Sequence, residues 1–415
     1  MSASASLPDE DVEVADLPVL RMPQDGVPAP IASASALAEF VARVAAGAGP
    51  VALDAERASG YRYSQRAYLV QLRREGVGTA LIDPIACPDL TELGVALADA
   101  EWILHAASQD LPCLAELGMR PQRLFDTELA GRLLGHPRVA LASMTERVLG
   151  VSLEKGHGAA DWSTRPLPHD WLVYAALDVE LLIELRTALA AELEKAGKLE
   201  WALQEFAALA AAPPAAPRTD PWRRTSGIHR VRTRPQLAAL RGLWSARDEL
   251  ARRRDIAPGR VLRDKTMVDI VLAAPATPEA LRRLPSVAGR SAGQQAGRWW
   301  SALRKATELD DAELPETSLS TNAPPPTNRW AGKDADAAAR LARVRAALTK
   351  VSEQVNVPTE NLVPPDAVRR ISWQPPAVID AETIRGFLAN HGARRWQVEL
   401  VSSVLGDALV DPSPA

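Results

Sequence analysis

Cysteine is nearly absent. Cys87 and Cys113 are the only two in 415 residues, too few for a disulfide framework or a thiolate zinc site and in keeping with a reducing compartment. No apolar run reaches the roughly 18 residues of a membrane-spanning helix before a charge interrupts it. The opening MSASASLPDEDVEVAD has no basic segment followed by an apolar one, so it does not read as a signal peptide, and residues 1–27 are expected to form a disordered acidic tail. Together these absences point to a cytoplasmic protein with no membrane partner. No GxxxxGK[ST] loop occurs either, which excludes a nucleotide-driven motor of the P-loop kind. The chain does have ample material to fold: 47% of it is hydrophobic, and its length suggests two or three domains.

The formal charge of −4 hides an asymmetry. Residues 1–217 hold 17 Lys/Arg against 30 Asp/Glu, residues 218–306 hold 20 against 7, and residues 307–415 hold 11 against 15, giving −13, +13 and −4. A stretch as basic as the middle one usually faces a polyanion, with a solvated helical surface or the acidic first part as alternatives. Two proline-rich joints, AAAPPAAPRTDP and ELDDAELPETSLSTNAPPPTN, separate the three parts. The expected organisation is an α/β domain over 28–209, a linker at 210–225, a basic helical domain over 226–307, a linker at 308–328 and a second helical domain over 329–411. In the first domain VALDAE, YLVQLRRE, TALIDPI and EWILHAA read as strands, with helical patterns from about residue 108 onward. Helices are predicted over 234–255 and 334–356. Pro258 and Pro358, like Leu262 and Leu362, stand 100 residues apart, which suggests two copies of one small bundle.

Three places in the first domain put acids where the pattern argues for burial. Asp54 and Glu56 alternate on the strand VALDAE, so they share a face and repel unless a cation lies between them. Asp110 follows the strand WILHAA in what should be the first turn of a helix capped by Ser108. Tyr174 and Asp178, four apart on the predicted long helix HDWLVYAALDVELLIELRTALAAEL, are neighbours on its surface. Taken singly, Asp110 also reads as a helix cap, and Tyr174 with Asp178 as a solvated pair. Taken together, three aspartates and a glutamate supply hard oxygen ligands suited to Mg2+ or Mn2+.

The order DxE on a strand, Asp after a strand and YxxxD on a helix resembles the DEDD family of 3′–5′ exonucleases, in its tyrosine branch. The histidine branch would place His where this chain has Val173. Within the family the chain is most similar to the ribonuclease D group, through LVQL at 69–72, LIDP at 81–84, LHAASQDL at 104–111, FDTELAG at 125–131, DWSTRPL at 161–167 and YAALDVELL at 174–182. The resemblance implies a ribonuclease H-like α/β exonuclease domain, a mixed sheet flanked by helices, followed by two small all-α bundles of the HRDC type. It further implies two divalent ions, Mg2+ or Mn2+, held by Asp54, Glu56, Asp110 and Asp178, with Tyr174 orienting the attacking water and Glu56 near the terminal 3′-hydroxyl. The implied activity is removal of single nucleotides from RNA 3′ ends, with transfer RNA precursors and other small stable RNAs as substrates, by a monomer.

A DNA 3′–5′ exonuclease in repair and a catalytically silent RNA-binding adaptor remain compatible with the sequence. Discrimination would come from side-by-side digestion of RNA and DNA, and from release of mononucleotide at all. Asp126 and Thr127 lie in a family motif yet are simply read as a helix cap. His105 reads as a satisfied core histidine, Lys155 and His157 as surface, and Trp244, Trp299 and Trp300 as core residues of the basic domain. Arg252, Arg253 and Arg254 are the candidate phosphate contacts, against a solvated helix end.

Overall fold

In a computed structural model of the chain, which describes residues 17–154, 156–317 and 323–410, the runs VALDAER, AYLVQLRR and GTALI form strands Val51–Arg57, Ala67–Arg74 and Gly78–Ile82. Numbered after the short strand Val19–Leu20 (β1), these are β2, β3 and β4; Glu101–Leu104 (β5), Arg123–Asp126 (β6) and Ser152–Leu153 (β7) follow. The main sheet has the order β4-β3-β2-β5-β6, antiparallel from β4 to β2 and parallel from β2 to β6. Its strands are apolar on both faces because both are covered. Val70, Leu72, Ala80 and Ile82 pack with Phe40 and Val44 of the helix Ala34–Ala46. Their neighbours Leu69 and Leu81 point the other way, onto Leu172, Ala175 and Ala176 of the helix His169–Glu180. This alternation fixes the fate of β2. Val51, Leu53 and Ala55 join the first core; Asp54 and Glu56 are registered opposite Gln71 and Leu69 and so face the helix His169–Glu180.

Four expectations are corrected here. Residues 1–16 lie outside the described part of the expected tail, but β1 pairs in parallel with β7, and Gln24 N donates to the buried Glu180 at 3.0 Å; residues 17–27 are therefore built onto the nuclease-like domain. The linker expected to run to 225 ends earlier, because the turn Pro221–Arg224 buries Trp222 in the core of the middle domain. The expected long helix is two, His169–Glu180 and Leu182–Lys195, broken at Leu181. Its halves serve different partners: the first lies on β2, β3 and β4, the second on β5 and the helix Thr127–Leu134. Finally, RLFD forms β6, a strand hidden from the sequence pattern by its length of 4 residues.

Beyond residue 220 the described residues are helical. The helices Arg234–Arg254 and Ala335–Val355 are both 21 residues long. Each ends on a non-glycine residue in the left-handed region, Asp255 at φ 47 and Asn356 at φ 49, and each is followed by a four-residue helix, Pro258–Val261 or Thr359–Leu362. The element bounds of the two bundles thus correspond at an offset of 101 residues, one more than the spacing of Pro258 and Pro358 indicates: Pro258 opens its helix, whereas Pro358 precedes one.

Both copies dock on the first domain through the same corner, in opposite senses. Asp255 Oδ1 accepts from the backbone N–H of Tyr63 and Ser64 at 3.1 and 3.0 Å, while Asn356 Nδ2 donates to Leu134 O at 3.0 Å. The middle bundle keeps a core of its own around Leu243, Met267 and Trp299. The third shares one continuous core with the first domain, and there Trp396 stacks on Trp201 with ring centroids 4.7 Å apart.

Candidate active site

Asp54 and Glu56 leave the carboxyl-terminal half of β2 side by side, and the helix His169–Glu180 crosses that face and lowers Asp178 onto them. Carboxylate oxygens of Asp54, Glu56 and Asp178 all lie within 4.8 Å of one another. Asp110 closes the group from the end of β5. It occupies the N-cap position of the helix Leu111–Glu116, yet its side chain makes no capping bond; it lines the same cleft, of about 260 Å³, as Asp54, Glu56, Tyr174 and Asp178. The capping role expected of Ser108 falls elsewhere. Asp126 accepts from Glu128 N and Leu129 N to start its own helix, and also from Ala106 N and Ala107 N. It thereby holds the tight turn in which Ala106 adopts φ 59 and from which Asp110 projects. Thr127 Oγ1 pairs with His105 Nδ1 at 2.9 Å. Burial pushes His105 down to about 4, so this histidine is a neutral wall of the cleft.

The four acids of this cleft hold their protons above the usual carboxylate range. Burial, then repulsion from Asp54, Asp178 and Asp110, pushes Glu56 up to about 10. Burial and the charge of Asp54 push Asp110 up to about 8, against the pull of Arg57. Asp54 and Asp178 are raised by burial as well. Tyr174, raised by burial and then by the charge of Asp178 and Glu56, stays a phenol beside Asp178. Beside the cluster, the amide of Gln71, across from Asp54, is buried with no hydrogen-bond partner among the described residues. Oxygen donors at this spacing, whose ionisation would leave Arg57 as the one cation lining the cleft among the described residues, fit a hard divalent cation.

That electrostatics has a thermodynamic signature. Above their ordinary values of 3.8 and 4.5, Asp110 and Glu56 are ionised in the unfolded chain but protonated in the metal-free fold, up to about 8 and about 10. The folded state then binds more protons than the unfolded one, so stability falls as pH rises through this window. Calorimetry in EDTA should show the melting temperature dropping between pH 6 and pH 9. Millimolar Mn2+ should flatten the drop, because cation binding needs ionised carboxylates and strengthens with pH.

The remaining candidates separate cleanly. Arg252 is exposed but partly engaged at the domain junction: its guanidinium donates to Asp248 at 2.6 Å and to the Tyr63 hydroxyl at 3.2 Å. Arg253 is exposed with only a 3.9 Å pair to Glu249, and Arg254 is exposed. Trp299 is fully buried, with Trp244 and Trp300 packed against the same core. Lys155 lies outside the described residues. His157 pairs with Asp170 at 3.2 Å, and its ring meets Tyr174 edge-on. Two features escape a reading of the sequence. Arg57 reaches into the acid cluster, and Gly156 lies so close to Tyr174 that a Cβ there would overlap its ring; the glycine pair in EKGHGAADW was the available signal.

Comparison with known proteins agrees with this geometry. Residues 28–194 match a family described as 3′-5′ exonuclease, residues 236–303 the HRDC domain, and residues 323–409 the 3′ to 5′ exonuclease C-terminal domain. The third part thus has its own family description, although it repeats the layout of the second. Ribonuclease D of Gluconacetobacter diazotrophicus is 32% identical over 286 residues, 67% of this chain and 72% of that protein. A crystal structure of a protein from Bifidobacterium adolescentis superposes with a TM-score of 0.87 at 38% identity, over 95% of this chain and 100% of that one. Escherichia coli RNase D, described as an exoribonuclease involved in structured RNA processing, superposes with a TM-score of 0.68 at 28% identity, over 90% of this chain and 98% of that one. With its acids, helical domains and sheet in this common order, the chain belongs to the ribonuclease D family of hydrolytic 3′–5′ exoribonucleases.

Proposed function

We propose that this chain trims RNA with a free 3′ end one nucleotide at a time, releasing nucleoside 5′-monophosphates, and that Asp54, Glu56, Asp110 and Asp178 hold two divalent ions, Mg2+ or Mn2+. The observation that carries this reading is the convergence of four carboxylates, Glu56 and Asp110 buried and Asp54 and Asp178 half-buried, from three distant segments on one cleft. When bound, two such ions supply an activated water and stabilise the departing oxygen of a phosphodiester. The protein's own groups orient the reactants. Tyr174, a phenol in the same cleft as Asp178, positions the water, and Glu56 meets the terminal 3′-hydroxyl.

Precursors of transfer RNA and other small stable RNAs, in the cytoplasm, are the proposed substrates, handled by a monomer. The acidic first domain attracts phosphate poorly outside its metals, so capture falls to the middle domain with its charge of +13, where Arg252, Arg253 and Arg254 are all exposed, Arg252 with part of its guanidinium engaged at Asp248 and Tyr63. The test is digestion of matched 5′-labelled RNA and DNA oligonucleotides. With Mn2+ or Mg2+, RNA should shorten from its 3′ end in single steps and faster than DNA; equal or faster DNA digestion would favour the repair reading. Binding without any mononucleotide release would favour the adaptor. Tyr174→Phe should slow hydrolysis by about 10- to 100-fold with Mn2+ binding intact.

A further inference from the structure

The geometry points to Arg57 as a guanidinium that rests beside Asp110 in the metal-free cleft and turns to a phosphate oxygen of the RNA 3′ end once Asp110 engages a cation. This inference rests on the metal reading above and assigns a substrate contact within it. Arg57 is the last residue of β2, where the pairing slips: Glu56 is registered with Leu69 but Arg57 with Ala67, leaving Tyr68 as the extra residue. Such a slip increases local twist and re-aims a strand end. Arg57 Nη2 thus lies 3.6 Å from Asp110 Oδ1, with side-chain exposures of 26% and 7%.

At that separation Arg57 and Asp110 make no hydrogen bond, and none from the Arg57 guanidinium is present among the described residues. Other partly buried arginines differ. Arg74 donates to the carbonyls of Val44, Ala48 and Gly49, and Arg165 to Asp83, Tyr68 O and Trp162 O. Those are structural; Arg57 keeps its fork of donors unused while lining the cleft. Among the described lining residues it is the one cation, since burial keeps His105 neutral. A planar guanidinium with free donors suits bidentate contact with a phosphate, which a lysine would meet only as a point charge.

A purely structural role, propping Asp110 in place, makes a different forecast, and Arg57→Ala separates the two. Mn2+ binding to the metal-free full chain is measured by calorimetry at pH 9, where protons compete less, beside hydrolysis of a short oligoribonucleotide. A phosphate contact leaves Mn2+ affinity equal to or tighter than wild type, since a repelling cation has gone, and raises KM or lowers kcat/KM by about 10- to 100-fold. Arg57→Lys should recover part of that loss. Weakened Mn2+ binding, unchanged kinetics, or full recovery with lysine would each overturn the assignment. If wild type itself binds no Mn2+ or releases no mononucleotide, the metal reading fails instead. A melting curve in EDTA for each variant excludes misfolding as the cause.

Discussion

Asp54→Asn and Asp178→Asn each reduce hydrolysis of RNA by at least about 1,000-fold, a loss of about 4 kcal/mol of transition-state stabilisation, while RNA binding stays within about twofold of wild type. Both residues sit in the carboxylate triangle with Glu56, and neither touches the basic middle domain. The amide is nearly isosteric with the carboxylate it replaces but carries no charge for a cation. The stability effect has the opposite sign. Removing one of several crowded buried charges relieves repulsion that now raises the neighbours, so the metal-free variants should melt a few degrees higher than wild type at pH 8, at about 2–4 °C per kcal/mol for a domain of this size. Single-turnover digestion of 5′-labelled RNA and calorimetry in EDTA read the two effects. Full activity in either variant would remove that acid from the metal site; lower stability together with lost activity would point to a folding defect.

Trp396→Ala destabilises the chain by about 3–5 kcal/mol, in the range for deleting a buried aromatic side chain. Trp396 is 2% exposed and stacks on Trp201 with an interplanar angle of 13°. Its indole N–H donates to Glu205 at 3.0 Å, and Arg394 approaches the same carboxylate at 3.4 Å. Burial already raises Glu205, and the indole bond is the first of the groups that oppose it. Loss of the ring therefore leaves a cavity and an under-satisfied acid at once. Chemical denaturation should resolve an early transition for the third domain in the variant, while the wild type unfolds that domain together with the first. A single unshifted transition would show that the shared core does not couple them. A chain cut near residue 210 suffers the same exposure of Trp201, so its loss of activity does not isolate RNA capture; charge reversal at Arg253 and Arg254 does.

Much of the site was legible before any coordinates. A strand's period of two puts Asp54 and Glu56 on one face, and a helix's period puts Tyr174 beside Asp178; both are local rules with local consequences. What they meet across the fold is not local. Asp110 looked as much like a cap as a ligand, and only the carboxylate of Asp126, arriving from β6 to hold residues 106 and 107, frees it for the cleft. Arg252 illustrates the converse. In the sequence it is the first of three equivalent arginines on a helix end, but Asp248 one turn earlier and Tyr63 from another domain engage it, a pairing across 189 residues that no periodicity encodes. Residues 17–20 looked disordered because two apolar residues make too short a strand to register, and their partner β7 is equally short.

The central claim is that these distant acids form one cation site. Titrating Mn2+ into the metal-free chain in the presence of a nucleoside 5′-monophosphate tests it most directly. The expected result is two ions per wild-type chain, released protons that increase toward neutral pH, and fewer than two ions in Asp178→Asn. No Mn2+ bound at millimolar concentration, or an unchanged two in Asp178→Asn, would contradict it.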